Sequence, residues 1–125
     1  MNRFLITIVA GICFTYSAAS AGQGEQKNID HVAGMADAKL NLAATMAGNV
    51  TAVMQRCRAS LRLTEDGRAI ITLPVLLYDG RDKHLTPNPP KFKRAIRVYE
   101  DAYNKAVRRT DSCQTEMAKY PRLYR

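Results

Sequence analysis

Residues 30–62 read DHVAGMADAKLNLAATMAGNVTAVMQRCRASLR, and the spacing of the apolar residues in this run decides the fold class. Val32, Met35, Ala36, Ala43, Met46, Ala47, Val50, Val53, Met54, Cys57 and Leu61 all fall on one face of a helix with about 3.6 residues per turn. Asp37, Asn41, Thr45, Gln55, Arg56 and Arg62 point away from that stripe. Lys39 is the one charge within it, and its aliphatic stem can carry the ammonium out to solvent. Asp30 supplies an N-cap, and Gly67 in Thr64-Glu65-Asp66-Gly67 is expected to stop the helix. Gly48-Asn49 lies in mid-run, where the helix is expected to bend or break.

The next apolar run, Ala69 to Tyr78, lies between two Asp-Gly pairs, Asp66-Gly67 and Asp79-Gly80. Pro74 in its middle cannot donate to a sheet ladder, which argues against a central strand and favours a short helical turn over Val75–Tyr78. The expectation is an apolar segment that crosses over the helices, with two short edge strands as the alternative. Thr86-Pro87-Asn88-Pro89-Pro90 then forms a stiff loop, with Asn88 capping a second helix and proline in its first turn. That helix is expected from about Pro90 to Lys119. Phe92, Ala95, Ile96, Tyr99, Ala102, Tyr103, Ala106, Thr110, Cys113 and Met117 form its buried face, and Pro121 ends it. The fold class is therefore all-α: a small domain of two to three helices with an apolar crossing segment, stapled by one disulfide.

Cys57 and Cys113 supply the staple, each lying in the apolar stripe of its helix. A bond closing so long a loop stabilises a domain by roughly 4 kcal/mol in the chain-entropy account. Both cysteines lie near the C-terminal ends of their helices, so a simple antiparallel hairpin would hold them apart. A bond between them requires either that the helices run parallel or that the first one breaks near Gly48. In the parallel arrangement the connection over residues 64–89 must travel back about 35 Å at ~1.5 Å per helical residue. Extended chain covers about 3.3 Å per residue, so the connection is long enough.

The amino-terminal segment Met1–Ala21 has the composition of a cleavable export signal. Arg3 precedes an apolar run from Phe4 to Phe14, and Ala19-Ser20-Ala21 fits a small-residue cleavage site before Gly22. The run is shorter than the about 20 apolar residues of a spanning helix. Cys13 follows Ile12 rather than the small residue that lipid attachment requires, so it is read as part of the signal. The chain divides into the signal peptide (1–21), a disordered leader (22–29), a helical domain (30–120) and a basic tail (121–125). The expected location is the periplasm, with the extracellular medium second, and both are oxidising enough for a disulfide.

The chain carries 19 Lys and Arg against 11 Asp and Glu, a formal charge of +8, and loss of Arg3 with the signal leaves +7. Such a chain is drawn to anionic surfaces. The candidate site is the outer face of the second helix, where Lys91, Arg94, Arg97, Lys105, Arg108 and Arg109 project within about a third of the circumference, opposite the apolar stripe. Lys119, Arg122 and Arg125 extend the charge, interleaved with Tyr120 and Tyr124, while Asp101 and Glu116 interrupt it. A solvated helix face has the same composition. The function expected is that of a non-catalytic binding or accessory protein for an acidic protein or an envelope polyanion, with peripheral membrane contact allowed and nucleic acid not expected. A membrane-active or toxin-like secreted protein is the alternative.

Catalysis has little to rest on. The sequence holds no G-x-S-x-G, C-x-x-C, Walker loop or dinucleotide fingerprint. Asp79-Gly80-Arg81-Asp82-Lys83-His84 offers two carboxylates and an imidazole, but its spacing matches no closed metal site, and Arg81 and Lys83 compete for the carboxylates. No catalytic residue, metal ligand or cofactor is assigned. A small enzyme or a metal-binding protein is the least favoured reading.

Overall fold

The structure, a computed structural model, describes residues 5–7, 13–15, 21–58 and 62–125, with side chains from residue 24 onward. Two short strands, β1 (Leu5–Thr7) and β2 (Cys13–Thr15), pair antiparallel with Ile6 opposite Phe14. The rest of the expected export signal, save Ala21, lies outside the described residues. From Ala21 on, every regular element among the described residues is a helix: α1 (Ala21–Ala33), α2 (Asp37–Arg56), α3 (Glu65–Asp82), α4 (Pro89–Val107) and α5 (Cys113–Lys119). The domain is all-helical and carries the Cys57–Cys113 disulfide. Among the described residues it has five helices where two to three were expected, and no apolar crossing segment.

Residues 22–29, expected to be a disordered leader, belong to α1. Two glycines make this stretch a poor helix former on its own, and tertiary packing overrides that preference. Asn28, Ile29 and Val32 are buried, and the Gln26 amide donates to the Leu85 carbonyl at 2.8 Å. The first long helix is therefore cut near Gly34 rather than at Gly48. Lys91 reaches across from α4 to the carbonyls of Ala33, at 2.9 Å, and Met35, satisfying acceptors that the end of α1 leaves open.

α2 runs unbroken through Gly48, and the reason this residue is glycine lies in α4. A Cβ there would come within 2.5 Å of the Tyr99 carbonyl oxygen and 2.8 Å of the Ala102 Cβ. The two helices run parallel. Asp37 at the start of α2 faces Lys91 and Arg94, Gly48 lies on Tyr99 and Ala102, and Gln55 accepts from the Tyr103 hydroxyl at 2.6 Å. Of the two arrangements that allow the disulfide, the parallel one is present.

α3 makes the return journey as a helix, 18 residues and about 27 Å long. The apolar run 69–78 is thus the buried face of a bundle helix. Pro74 sits inside it at a cost of about 3 kcal/mol against alanine. Full burial of Ile70, Leu73, Leu76 and Leu77, at about 1.5–3 kcal/mol each, outweighs that cost. The Asp-Gly pairs lie within the helix rather than in turns. Gly67 belongs to the first turn, its N–H capped by the Thr64 hydroxyl at 3.1 Å, and Gly80 lies under the Phe92 ring, which a Cβ would meet at 2.4 Å. The helix ends one turn later with His84 at a φ of 58°. Leu85 N–H donates to the Gly80 carbonyl at 3.0 Å and His84 N–H to that of Arg81 at 3.3 Å, a Schellman closure with histidine in the position glycine favours.

The second expected helix is also divided. α4 stops at Val107, and α5 begins at Cys113 behind a Ser112 cap whose hydroxyl accepts from Thr115 N–H at 3.1 Å. The basic tail is built into the domain. Leu63 and Tyr124 form a bridge, Thr64 N–H donates to the Leu123 carbonyl at 3.0 Å, and Arg125 N–H donates to the Arg62 carbonyl at 2.7 Å. Leu123 and Tyr124 are buried, so the tail seals the end of the bundle where α2 gives way to α3.

Candidate functional site

The basic residues named from the sequence separate into two sets. Three turn inward. Lys91 binds the end of α1 and lies 3.7 Å from Asp37. Arg109 grips Glu116 through two nitrogens, each at 2.9 Å, and donates to the Asn49 side-chain amide oxygen Oδ1 at 3.0 Å. Lys119 lies 3.0 Å from both Glu116 and Asp111. Arg56, 3.3 Å from Glu116, is a third cation on that carboxylate beside Arg109 and Lys119.

Glu116 is 1% exposed and surrounded by cations from α2, the α4–α5 connection and α5. Hydrogen bonding from the Arg109 guanidinium holds its carboxyl down at about 2, with the Lys119 ammonium adding to the effect against the opposing pull of burial. A residue that reads in sequence as an interruption of a basic stripe is the centre of an ion cluster that locks α5 and the tail to α2. Its signal in the sequence is its place on the inward side of the short amphipathic helix α5.

The second set faces solvent. Arg94, Arg97, Lys105 and Arg108 are exposed on the outer face of α4, and so is Lys93 beside them. Lys93, Arg97, Lys105 and Arg108 make no ion pair among the described residues, and Arg94 approaches Asp37 only to 4.0 Å. Asp101 leaves its neighbours Arg97 and Lys105 unpaired. From Lys93 to Arg108 the row spans about 22 Å of helix axis. The side chains of Arg122 and Arg125 are exposed on the tail.

The Asp79–His84 cluster is dispersed. Asp79 meets Lys83 at 3.5 Å, and Lys83 also reaches Glu25 on α1 at 3.6 Å, while Asp82 is taken by Arg81 at 2.6 Å. Hydrogen bonding with Asp79 and burial raise the Glu25 carboxyl above its ordinary range. His84 points to solvent. Among the described residues no three His, Cys, Asp or Glu side chains come together in a way that would hold a metal ion.

One concave surface was not anticipated. A groove of about 570 Å³ runs between α2 and α3, with Met54 and Gln55 on one wall, Ile71, Pro74, Val75 and Tyr78 on the other, and Tyr99 of α4 at its end. Tyr78 and Tyr99 meet edge to face at 85°, and Tyr99 stacks beside Tyr103 at 29°, both pairs with centroids 6.3 Å apart. The three rings come from two helices, and no local pattern links Tyr78 to the others. No helix among the described residues is long and apolar enough to cross a membrane. The chain matches no known family model, no curated protein and no solved structure.

Proposed function

We propose that the protein is exported by cleavage after Ala21 and acts, in the periplasm or outside the cell, as a non-catalytic binding or accessory protein. The outer face of α4 is its contact for an acidic protein or an envelope polyanion. The observation that carries this reading is selective pairing. Arg56, Lys91, Arg109 and Lys119 are held in internal contacts, whereas Lys93, Arg97, Lys105 and Arg108 stand exposed and unpaired along one rigid helix. Uncompensated charge aligned on a stiff element raises encounter rate and selects partners of opposite sign.

The test is capture from the native host with protein tagged ahead of α1, comparing the natural sequence with the triple variant Arg97→Glu, Lys105→Glu, Arg108→Glu. Washing in about 0.5 M salt shortens the screening length to roughly 4 Å and strips loose charge attraction. An acidic partner held by the natural protein through that wash and lost by the folded variant supports the proposal. Equal capture by both removes α4 as the contact.

A further inference from the structure

The tyrosine groove offers chemistry of the opposite sign, on a different face, and does not depend on the basic face of α4. We propose that the corner formed by Tyr78, Tyr99 and Tyr103 binds an organic cation with a quaternary ammonium head. Aromatic faces carry the negative part of the ring quadrupole and attract cations that are only weakly hydrated. Here two ring planes meet at 85°, giving such a head two walls at once, and the third ring continues the platform. The Arg81 guanidinium lies 5.1 Å from the centroid of Tyr78 and occupies one face of that ring, so a bound cation would use the other surfaces of the corner.

The carboxylates favour the same occupant. Glu100 borders the corner, accepts the Tyr78 hydroxyl at 2.6 Å and makes no direct ion pair among the described residues; the Arg81 guanidinium feels its charge only at longer range. Asp79 lines the adjoining part of the groove, where Lys83 already pairs with it at 3.5 Å, so Glu100 is the carboxylate left for a ligand. Tyr103 is fixed by its bond to Gln55 and Tyr78 by its bond to Glu100, so the rings are held in place before a ligand arrives. Burial, followed by the Glu100 carboxylate, raises the Tyr78 hydroxyl to about 12, which keeps the phenol neutral and a donor to Glu100 across the physiological range. Arg58, beyond the end of α2, lines the same groove. The hollow lined by Tyr78, Tyr99, Glu100 and Tyr103 has a volume of about 470 Å³, within the range of about 300–1,000 Å³ of small-molecule sites.

The test titrates choline into the disulfide-intact protein and follows the tyrosine ring resonances by NMR. Saturable shifts of Tyr78, Tyr99 and Tyr103 are expected. The neutral carbon isostere 3,3-dimethylbutan-1-ol should bind at least about fivefold more weakly, since only the charge is missing. Glu100→Gln, an exposed substitution that leaves the core intact, should weaken choline by a similar factor, and Tyr99→Leu should abolish the shifts. A parallel arm with phosphocholine-headgroup vesicles separates a lipid source from a free cation; binding in either arm supports the site. Flat ring resonances in both arms would overturn the proposal, and so would equal binding of the neutral isostere, which would make the groove merely apolar.

Discussion

Replacing Glu116 by glutamine should remove a defined and pH-dependent part of the stability. In the folded protein its carboxyl is held at about 2 by Arg109 and then Lys119, against an ordinary value of 4.5. A carboxyl whose folded value lies below its unfolded value stabilises the fold fully above the unfolded value. That contribution is lost as the pH falls through the folded value. For Glu116 the loss therefore runs from pH 4.5 down through 2. A gap of this size corresponds to about 3 kcal/mol at ~1.36 kcal/mol per unit. The carboxylate is enclosed, but Arg56, Arg109 and Lys119 retain 33%, 28% and 38% exposure. Left without their anion, these cations can turn towards water. The cost at neutral pH should then fall near the lower end of the roughly 3–5 kcal/mol seen when fully buried pairs are broken.

The assay is urea unfolding followed by far-ultraviolet circular dichroism from pH 7 to pH 2, with the disulfide intact in both proteins. The natural protein should exceed Glu116→Gln by about 3 kcal/mol at pH 7 and converge on it in acid. Other carboxyls titrate over the same range, Glu25 with the opposite sign because its value is raised. They are common to both proteins, so the difference curve isolates Glu116. Parallel curves, or equal stability at pH 7, would refute the claim that the cluster holds α5 in place.

Further outcomes follow from the packing. Replacing Cys57 and Cys113 by alanine opens a link across a sequence separation of 56 and should cost about 4 kcal/mol, read as a lower urea midpoint; a midpoint insensitive to reductant would contradict it. Gly48→Ala should destabilise by about 1–3 kcal/mol despite alanine's better helix propensity, because its methyl would press on the α4 backbone. A more stable variant would mean that α2 and α4 are not in such close contact. His84→Gly should gain up to about 1 kcal/mol in thermal or urea unfolding by relieving the left-handed backbone of the α3 closure; a loss would place the imidazole in a stabilising contact.

Periodicity made the apolar faces of α2 and α4 legible. The positions of Cys57 and Cys113 narrowed the topology to two choices, one of which is the parallel pair. What misled was the grammar of breakers. Gly48, Gly67, Gly80 and Pro74 read locally as bends and turns, yet all four lie inside helices. The glycines are there because a neighbouring backbone or ring comes too close for a Cβ, and such an approach is a tertiary fact with no local signature. The break between α1 and α2 at Gly34 was hidden for the opposite reason, since the stripe of Val32, Met35 and Ala36 runs across it without a change of period. The tyrosine groove was illegible because Tyr78 stood in a segment expected to cross over the helices, whereas Tyr99 and Tyr103 were taken for core.

The division of the basic residues decides how the binding face can be probed. A block substitution of every cation from Lys91 to Arg125 would release the end of α1, strip the partners of Glu116 and charge the solvent-facing row all at once. Loss of partner capture would then report unfolding as readily as a lost contact. Arg109 is the hazardous member, because it lies next to Arg108 in sequence and yet holds an ion cluster together. Arg108→Glu should leave the unfolding free energy from urea titration within about 0.5 kcal/mol of the natural protein, as exposed substitutions do. Arg109→Glu should behave at least as severely as Glu116→Gln, since it sets a second carboxylate against a buried one. If the two variants unfolded alike, the separation into an inner and an outer set would fail, and with it the case for α4 as a surface kept free for a partner.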